Sequence, residues 1–195
     1  MKRITFHLDF ISPYAWLAFE RLPQALQGLS YEVVYRPVLL GGMLQALGQL
    51  GPAEVPGKRE WTYRQVLWLA RQHGVPLQMP AAHPFNPLPL LRLALACGQG
   101  GAINRYVCET VLRHVWNGGA DADDPQRLAQ LRATLAPSRD PDGAEVKGEL
   151  RANTDAALAQ GVFGVPTMAV DGRLFWGFDA LPMLRAWLEG DAWFD

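Results

Sequence analysis

Ser12-Pro13 is where this chain places a reactive side chain in a directed field. Serine is favoured just before a helix and proline at its first position, and an apolar helical stripe follows. Four backbone N–H groups at such an end lack intrahelical partners, and the end carries a partial positive charge. An anion brought to Ser12 Oγ would be stabilised by hydroxyl and dipole together. The bland alternative is a plain N-cap with no ligand. Val165-Pro166-Thr167 by itself reads as an ordinary trans proline leading an edge strand. Asp179, just before an apolar helix, reads as a natural N-cap. Other candidates carry less. His7, His73, His83 and His114 form no ligand motif and no Cys–His or Ser–His arrangement, and read as structural or surface residues. Cys97 and Cys108 have no metal-ligand spacing and read as small core residues. The Asp121-Ala122-Asp123-Asp124-Pro125 run reads as a solvated loop and helix start, without an EF-hand glycine or distal Glu. No metal is expected.

Bulk properties narrow the setting. At 195 residues the chain can bury a proper core as one domain, or as one domain with a large insertion. A net charge of −1 and mean hydropathy of −0.03 speak against a nucleic-acid surface or a membrane patch. No apolar run approaches the ~20 residues of a membrane span. The opening MKRITFHLDF reaches Asp9 too soon for a secretory signal, so a reducing cytoplasm is expected.

The elements that must position these residues follow in order. Residues 3–9 form a first strand. A helix follows Pro13, with Ala15, Ala18, Phe19, Leu22, Ala25, Leu26 and Leu29 on one face. Pro23 inside it predicts a kink or early end. Tyr31 to Tyr35 is a second strand, so a βαβ unit with parallel pairing is expected. Helices then dominate: a short one near Met43–Leu47, then Gly57–His73, Leu88–Cys97, Ala102–Trp116, Pro125–Leu135 and Ala144–Gln160, the last open to a break near Gly148. Strand signals return at Val165–Val170 and Arg173–Trp176, joined by an Asp-Gly turn that predicts a hairpin. A final helix runs from Asp179 to about Leu188. The predicted fold is α/β: a βαβ…ββα unit from 1–36 plus 161–195, with an all-helical domain inserted at 37–160.

That order resembles the DsbA-like branch of the thioredoxin fold, and Val165-Pro166-Thr167 resembles its cis-proline loop, which implies a cis Val165–Pro166 bond that exposes the Val165 N–H and C=O for pairing with an extended ligand. Redox members open the first helix with Cys-x-x-Cys. Here Ser12-Pro13-Tyr14-Ala15 stands in that place, so disulfide exchange is not expected. The Ser-for-Cys pattern resembles the 2-hydroxychromene-2-carboxylate isomerases and the kappa-class glutathione transferases. Asp9-Phe10-Ile11-Ser12-Pro13-Tyr14, Lys58-Arg59-Glu60-Trp61, Phe85-Asn86-Pro87, Gly161 to Thr167 and Leu174-Phe175-Trp176-Gly177-Phe178-Asp179 carry the likeness across essentially the whole chain.

The resemblance implies glutathione as cofactor, with its thiolate held by Ser12 as the catalytic residue. It further implies cofactor contacts at Gln49, Lys58, Val165, Pro166, Phe178 and Asp179, and substrate contacts at Tyr14, Trp61, Phe85 and Asn86. Some positions depart from the pattern. Kappa enzymes carry Asn where Gln49 stands. The Lys58 helix often carries Asp and then Arg where Gln65 and Trp68 stand, and Phe178 replaces a small polar residue. Trp61 and Trp68 either wall an aromatic pocket or join the core between subdomains, the second being the expectation. Asn86 either meets substrate or caps the helix after Pro87. The implied activity is a glutathione-dependent cis–trans isomerisation of an aromatic unsaturated keto acid in aromatic catabolism, by a cytoplasmic homodimer. A kappa-like transferase or a non-catalytic glutathione- or peptide-binding protein remains open.

Overall fold

The computed structural model describes residues 1–194. Asp195, the last residue of the closing segment 161–195, lies outside the described residues. A four-stranded sheet positions everything else. β1 (Lys2–Leu8) pairs in parallel with β2 (Tyr31–Pro37), because the helix between them carries the chain back to the same end of the sheet. On its other side β1 pairs antiparallel with β3 (Thr167–Val170), which turns through Asp171-Gly172 into antiparallel β4 (Arg173–Trp176). The strand order is β2-β1-β3-β4. The chain is thus a mixed α/β thioredoxin-type fold, as the sequence order predicts.

Helices α1 (Pro13–Ala25), α2 (Leu40–Ala46), α3 (Lys58–His73), α4 (Leu88–Ala96), α5 (Arg105–Trp116), α6 (Pro125–Leu135), α7 (Ala144–Ala159) and α8 (Leu181–Glu189) complete it. One local expectation is met and two are corrected. Pro23 falls in the last turn of α1, which ends two residues later at Ala25, short of Leu29 in the apolar stripe, and Arg185 of α8 donates to the carbonyls of Ala25 and Gln27 there. α7 runs unbroken through Gly148. A helical glycine costs only about 1 kcal/mol, and Val146, Leu150, Asn153, Thr154 and Ala157 bury the helix face around it. Asp179 is not the N-cap of α8. A 3₁₀ turn, Phe178–Ala180, leads into the helix and leaves Ala180 at the cap position.

The two pleats of the sheet differ in character. Ile4, Phe6 and Leu8 point into the main core with α1 and the apolar faces of α4 and α5. On the alternate pleat stand His7, Asp9 and Thr167, all essentially buried, on the side of a small cluster of Val38, Met43, Ala157, Val162 and Val165. α7 pins this second face. Its Asn153 donates to the Pro37 carbonyl (2.9 Å) and the Gly101 carbonyl (2.7 Å), and its Oδ1 accepts from Arg36 (2.8 Å). Thr154 Oγ1 accepts the Leu39 N–H at 3.0 Å. Gly101 has φ +73°, and a Cβ there would stand 2.4 Å from Asn153 Oδ1. Gly101→Ala is therefore expected to cost about 2 kcal/mol or more, read as a lowered denaturation midpoint.

Candidate active site at the Ser12 helix start

Ser12 is 5% exposed and has extended backbone at the N-cap of α1. Its Oγ accepts the Ala15 N–H at 3.2 Å and donates to the Val165 carbonyl at 3.3 Å. Val165–Pro166 is cis. The hydroxyl thus joins the start of the first helix to the loop before β3, from opposite ends of the chain. The Val165 N–H has no acceptor among the described residues. The Pro166 carbonyl accepts the Gly177 N–H at 2.9 Å, which ties the loop to the end of β4.

The backbone before Ser12 is held at each step. Asp9 is fully buried at the end of β1. One carboxylate oxygen accepts the Ile11 N–H (3.2 Å) and the other the Leu40 N–H (2.9 Å). Burial pushes its carboxyl up to about 7, against the pull of the N–H groups of Leu40, Ile11 and Phe10. Trp116 Nε1 donates to the Phe10 carbonyl at 3.1 Å. His83 Nε2 lies 2.8 Å from the Ile11 carbonyl, and His83 Nδ1 lies 2.7 Å from the Tyr63 hydroxyl. Burial holds His83 below the usual histidine range, the Ile11 bond opposing it and Arg59 adding to it.

Around the mouth, the Tyr14 hydroxyl donates to Gln65 Oε1 at 2.6 Å, which bridges α1 and α3. Burial raises the Tyr14 phenol above its usual range, and the negative charge of Asp179 raises it further. Gln65 stands in one helical row with Trp61 and Trp68. These two indoles are 60% and 57% exposed, so the expectation that they join the core is corrected. The reason is geometric: α3 buries only Val66 and Ala70 fully, and the tryptophans fall outside that stripe.

The structure therefore gathers Ser12, Val165, Pro166, Tyr14 and Asp179 at one end of the sheet. Phe85 is buried with its ring centroid 6.0 Å from that of His83, one bond removed from Ile11. Phe178 is buried edge-on to His73, at 5.0 Å. Three other residues are not drawn into that group by any contact. Gln49 is exposed, and its backbone N–H bonds the Leu44 carbonyl. Lys58 is exposed at the first position of α3. Asn86 is exposed and its Oδ1 accepts the Leu88 N–H at 3.1 Å in an i to i+2 turn, one residue before the N-cap position, which Pro87 occupies. Asp9, Tyr63, His83 and Trp116 were assigned no site role from sequence. The available signals were an acidic residue closing an apolar strand, and a histidine inside a proline-stiffened linker. Among the described residues no cluster of His, Cys, Asp or Glu could hold a metal ion, and no helix is long and apolar enough to cross a membrane.

Comparison with known proteins fits this arrangement. The chain is 32% identical to 2-hydroxychromene-2-carboxylate isomerase of Sphingobium xenophagum, over 96% of this chain and 98% of that protein. It is 29% identical to Glutathione S-transferase kappa 1 of Rattus norvegicus, over 95% of this chain and 89% of that one. Among solved structures, a 2-hydroxychromene-2-carboxylate isomerase superposes with a TM-score of 0.81 at 24% identity, covering 96% of this chain and 94% of that one, which shows a shared fold. The model of the DSBA-like thioredoxin domain matches residues 3–189, and the chain belongs to that family, in the branch that includes the 2-hydroxychromene-2-carboxylate isomerases and the kappa-class glutathione transferases.

Proposed function

We propose that this protein is a glutathione-dependent isomerase of an aromatic, unsaturated keto acid, with Ser12 holding the glutathione thiolate. The observation that carries the reading is the buried Ser12 hydroxyl at the α1 N-cap, 3.3 Å from the carbonyl of the cis-proline loop, where redox members of the fold carry a cysteine. The surroundings fit the cofactor's chemistry. Val165 offers an unpaired N–H and a carbonyl that can release Ser12, which suits an extended cysteinyl unit. Lys58 and Asp179 are exposed and make no ion pair among the described residues, which suits a carboxylate and an ammonium at the ends of the tripeptide.

When bound, glutathione supplies a nucleophile that adds reversibly to the conjugated carbon, frees rotation about the former double bond and departs unchanged. Ser12 serves this by turning its proton from the Val165 carbonyl toward the sulfur, while the unpaired N–H groups of α1 add a positive field. The shift needed is modest. A thiol near ~8.5 becomes mostly ionised at neutral pH if the anion gains about 2.7 kcal/mol, the sum of one charge-assisted hydrogen bond and a helix end. Tyr14, Trp61, Phe85 and Asn86 are the proposed substrate contacts, and Gln49, Pro166 and Phe178 the remaining cofactor contacts. The reading carries with it a cytoplasmic homodimer working in aromatic catabolism.

The test is turnover of an aromatic unsaturated keto acid with and without glutathione. Isomerisation that requires glutathione and returns all of it supports the reading. A stable glutathione adduct as the product selects the transferase reading, which the likeness to the rat kappa enzyme also favours. Retention on glutathione resin with no turnover of any aromatic electrophile overturns both.

A further inference from the structure

From the bonds behind Ser12 we infer that His83 is a positioning residue, which sets the anion-stabilising strength of the α1 N-terminus through the Ile11 peptide. The tautomer follows from its partners. The Ile11 carbonyl can only accept, so His83 Nε2 carries the hydrogen. Nδ1 is then an acceptor, and the Tyr63 hydroxyl donates to it at 2.7 Å. The His83 carbonyl lies 3.0 Å from the same Tyr63 oxygen and competes for its one hydrogen, the shorter approach being to Nδ1. The ring is walled by Trp116, Phe85 and Tyr63, with centroids 5.6, 6.0 and 5.3 Å away.

This arrangement reaches Ser12 through a short covalent path. Ile11 is bonded on both sides, its N–H to Asp9 and its C=O to His83. The Ser12 N–H bonds back to the Asp9 carbonyl at 3.1 Å. The orientation of the Ile11–Ser12 peptide sets where the first free N–H groups of α1 point, and the field of a helix end falls off within one turn. Without His83, the Ile11 carbonyl faces the buried rings unpaired and the peptide must turn to find a partner. The role reaches beyond the proposed reaction, because any anion at the Ser12 position would feel it. The groups that bear charge or titrate around this peptide and such an anion are Asp9 behind the peptide, Tyr63 and Arg59 beside His83, and Tyr14 and Asp179 at the mouth.

The test needs no glutathione. Ser12→Cys places a titrating thiol at the N-cap of the full-length chain, and its ionisation is followed by thiolate absorbance against the parent protein, which carries only Cys97 and Cys108. The thiol is expected to titrate below ~8.5. Adding His83→Leu should raise the midpoint by about half a pH unit or more. His83→Gln, which can still donate toward Ile11, should restore most of the shift. An unchanged midpoint in a folded Ser12→Cys/His83→Leu protein overturns the role. So does a midpoint that rises equally with Leu and Gln, since that marks lost packing only. If His83→Leu fails to fold, His83→Met, which likewise cannot donate to Ile11, takes its place in the same comparison: a raised midpoint that Gln restores supports the role, and an unchanged one refutes it. The proposed isomerase function rests on separate evidence. Loss of glutathione-dependent turnover in the parent protein would sink that reading and leave this titration standing.

Discussion

On the proposed function, Ser12→Ala is expected to lower turnover at neutral pH by about 10- to 100-fold. The loss has two parts. The thiolate loses its charge-assisted donor, and less of the bound thiol is ionised. The field of α1 remains, because it belongs to the backbone, so activity falls without vanishing. Glutathione affinity should change much less, since the proposed contacts at the Val165 peptide, Lys58 and Asp179 are untouched. A raised pH midpoint of kcat with a nearly constant KM for glutathione is the expected signature. The fold pays about 1 kcal/mol, because the Ala15 N–H loses its cap. Turnover equal to that of the parent would remove Ser12 from the chemistry.

The second large effect belongs to Asp9 and appears in stability. Its folded carboxyl titrates at about 7, against ~3.9 in an unfolded chain. The folded state therefore binds the proton more tightly. That contribution is fully present below about pH 4 and is lost as pH rises through about 7, a swing of about 4 kcal/mol. His7 acts in the opposite sense. Burial, then Arg36, lowers its pKa to about 4, so its contribution is present above ~6.5 and is lost as pH falls toward about 4. Between about pH 4 and pH 6.5 the two slopes oppose each other, and the parent protein should show a nearly flat stability curve. Asp9→Asn removes one of them. Urea midpoints of this variant should fall steadily as pH drops from about 6.5, and its stability relative to the parent should be best above about pH 7. If parent and variant keep a constant difference across that range, Asp9 does not titrate in the folded protein.

The sequence made some of this legible because single residues act locally. Ser-Pro before an apolar stripe announces a capped helix wherever it lies, and α1 starts at Pro13 as expected. Asp171-Gly172 makes a hairpin by its own dihedrals. The misses come from contacts between distant segments. α7 runs through Gly148 while its Asn153 and Thr154 bond to Pro37 and Leu39, far away in sequence. Trp61 and Trp68 have the spacing of a core face, but which face of α3 is buried depends on where α1 and the linker lie. His83 forms no motif because its partners are a backbone carbonyl and one tyrosine, and a carbonyl carries no sequence signature.

The position of β1 also shapes how this chain is made. It is an interior strand, yet only β2 follows it closely in sequence; Thr5 and Phe6 lie opposite Ala169 and Met168. During synthesis the βαβ unit emerges first, with the β3-facing edge of β1 open and apolar, the kind of edge that recruits stray strands. The whole helical block must be translated before the hairpin that closes this edge leaves the ribosome. Closure of the sheet, the meeting of Ser12 with Val165 and the arrival of Arg185 beyond Ala25 all wait for the same final segment. The β3-facing edge of β1 is therefore covered only once the hairpin has been made, and until then that edge is where a chaperone has most to protect.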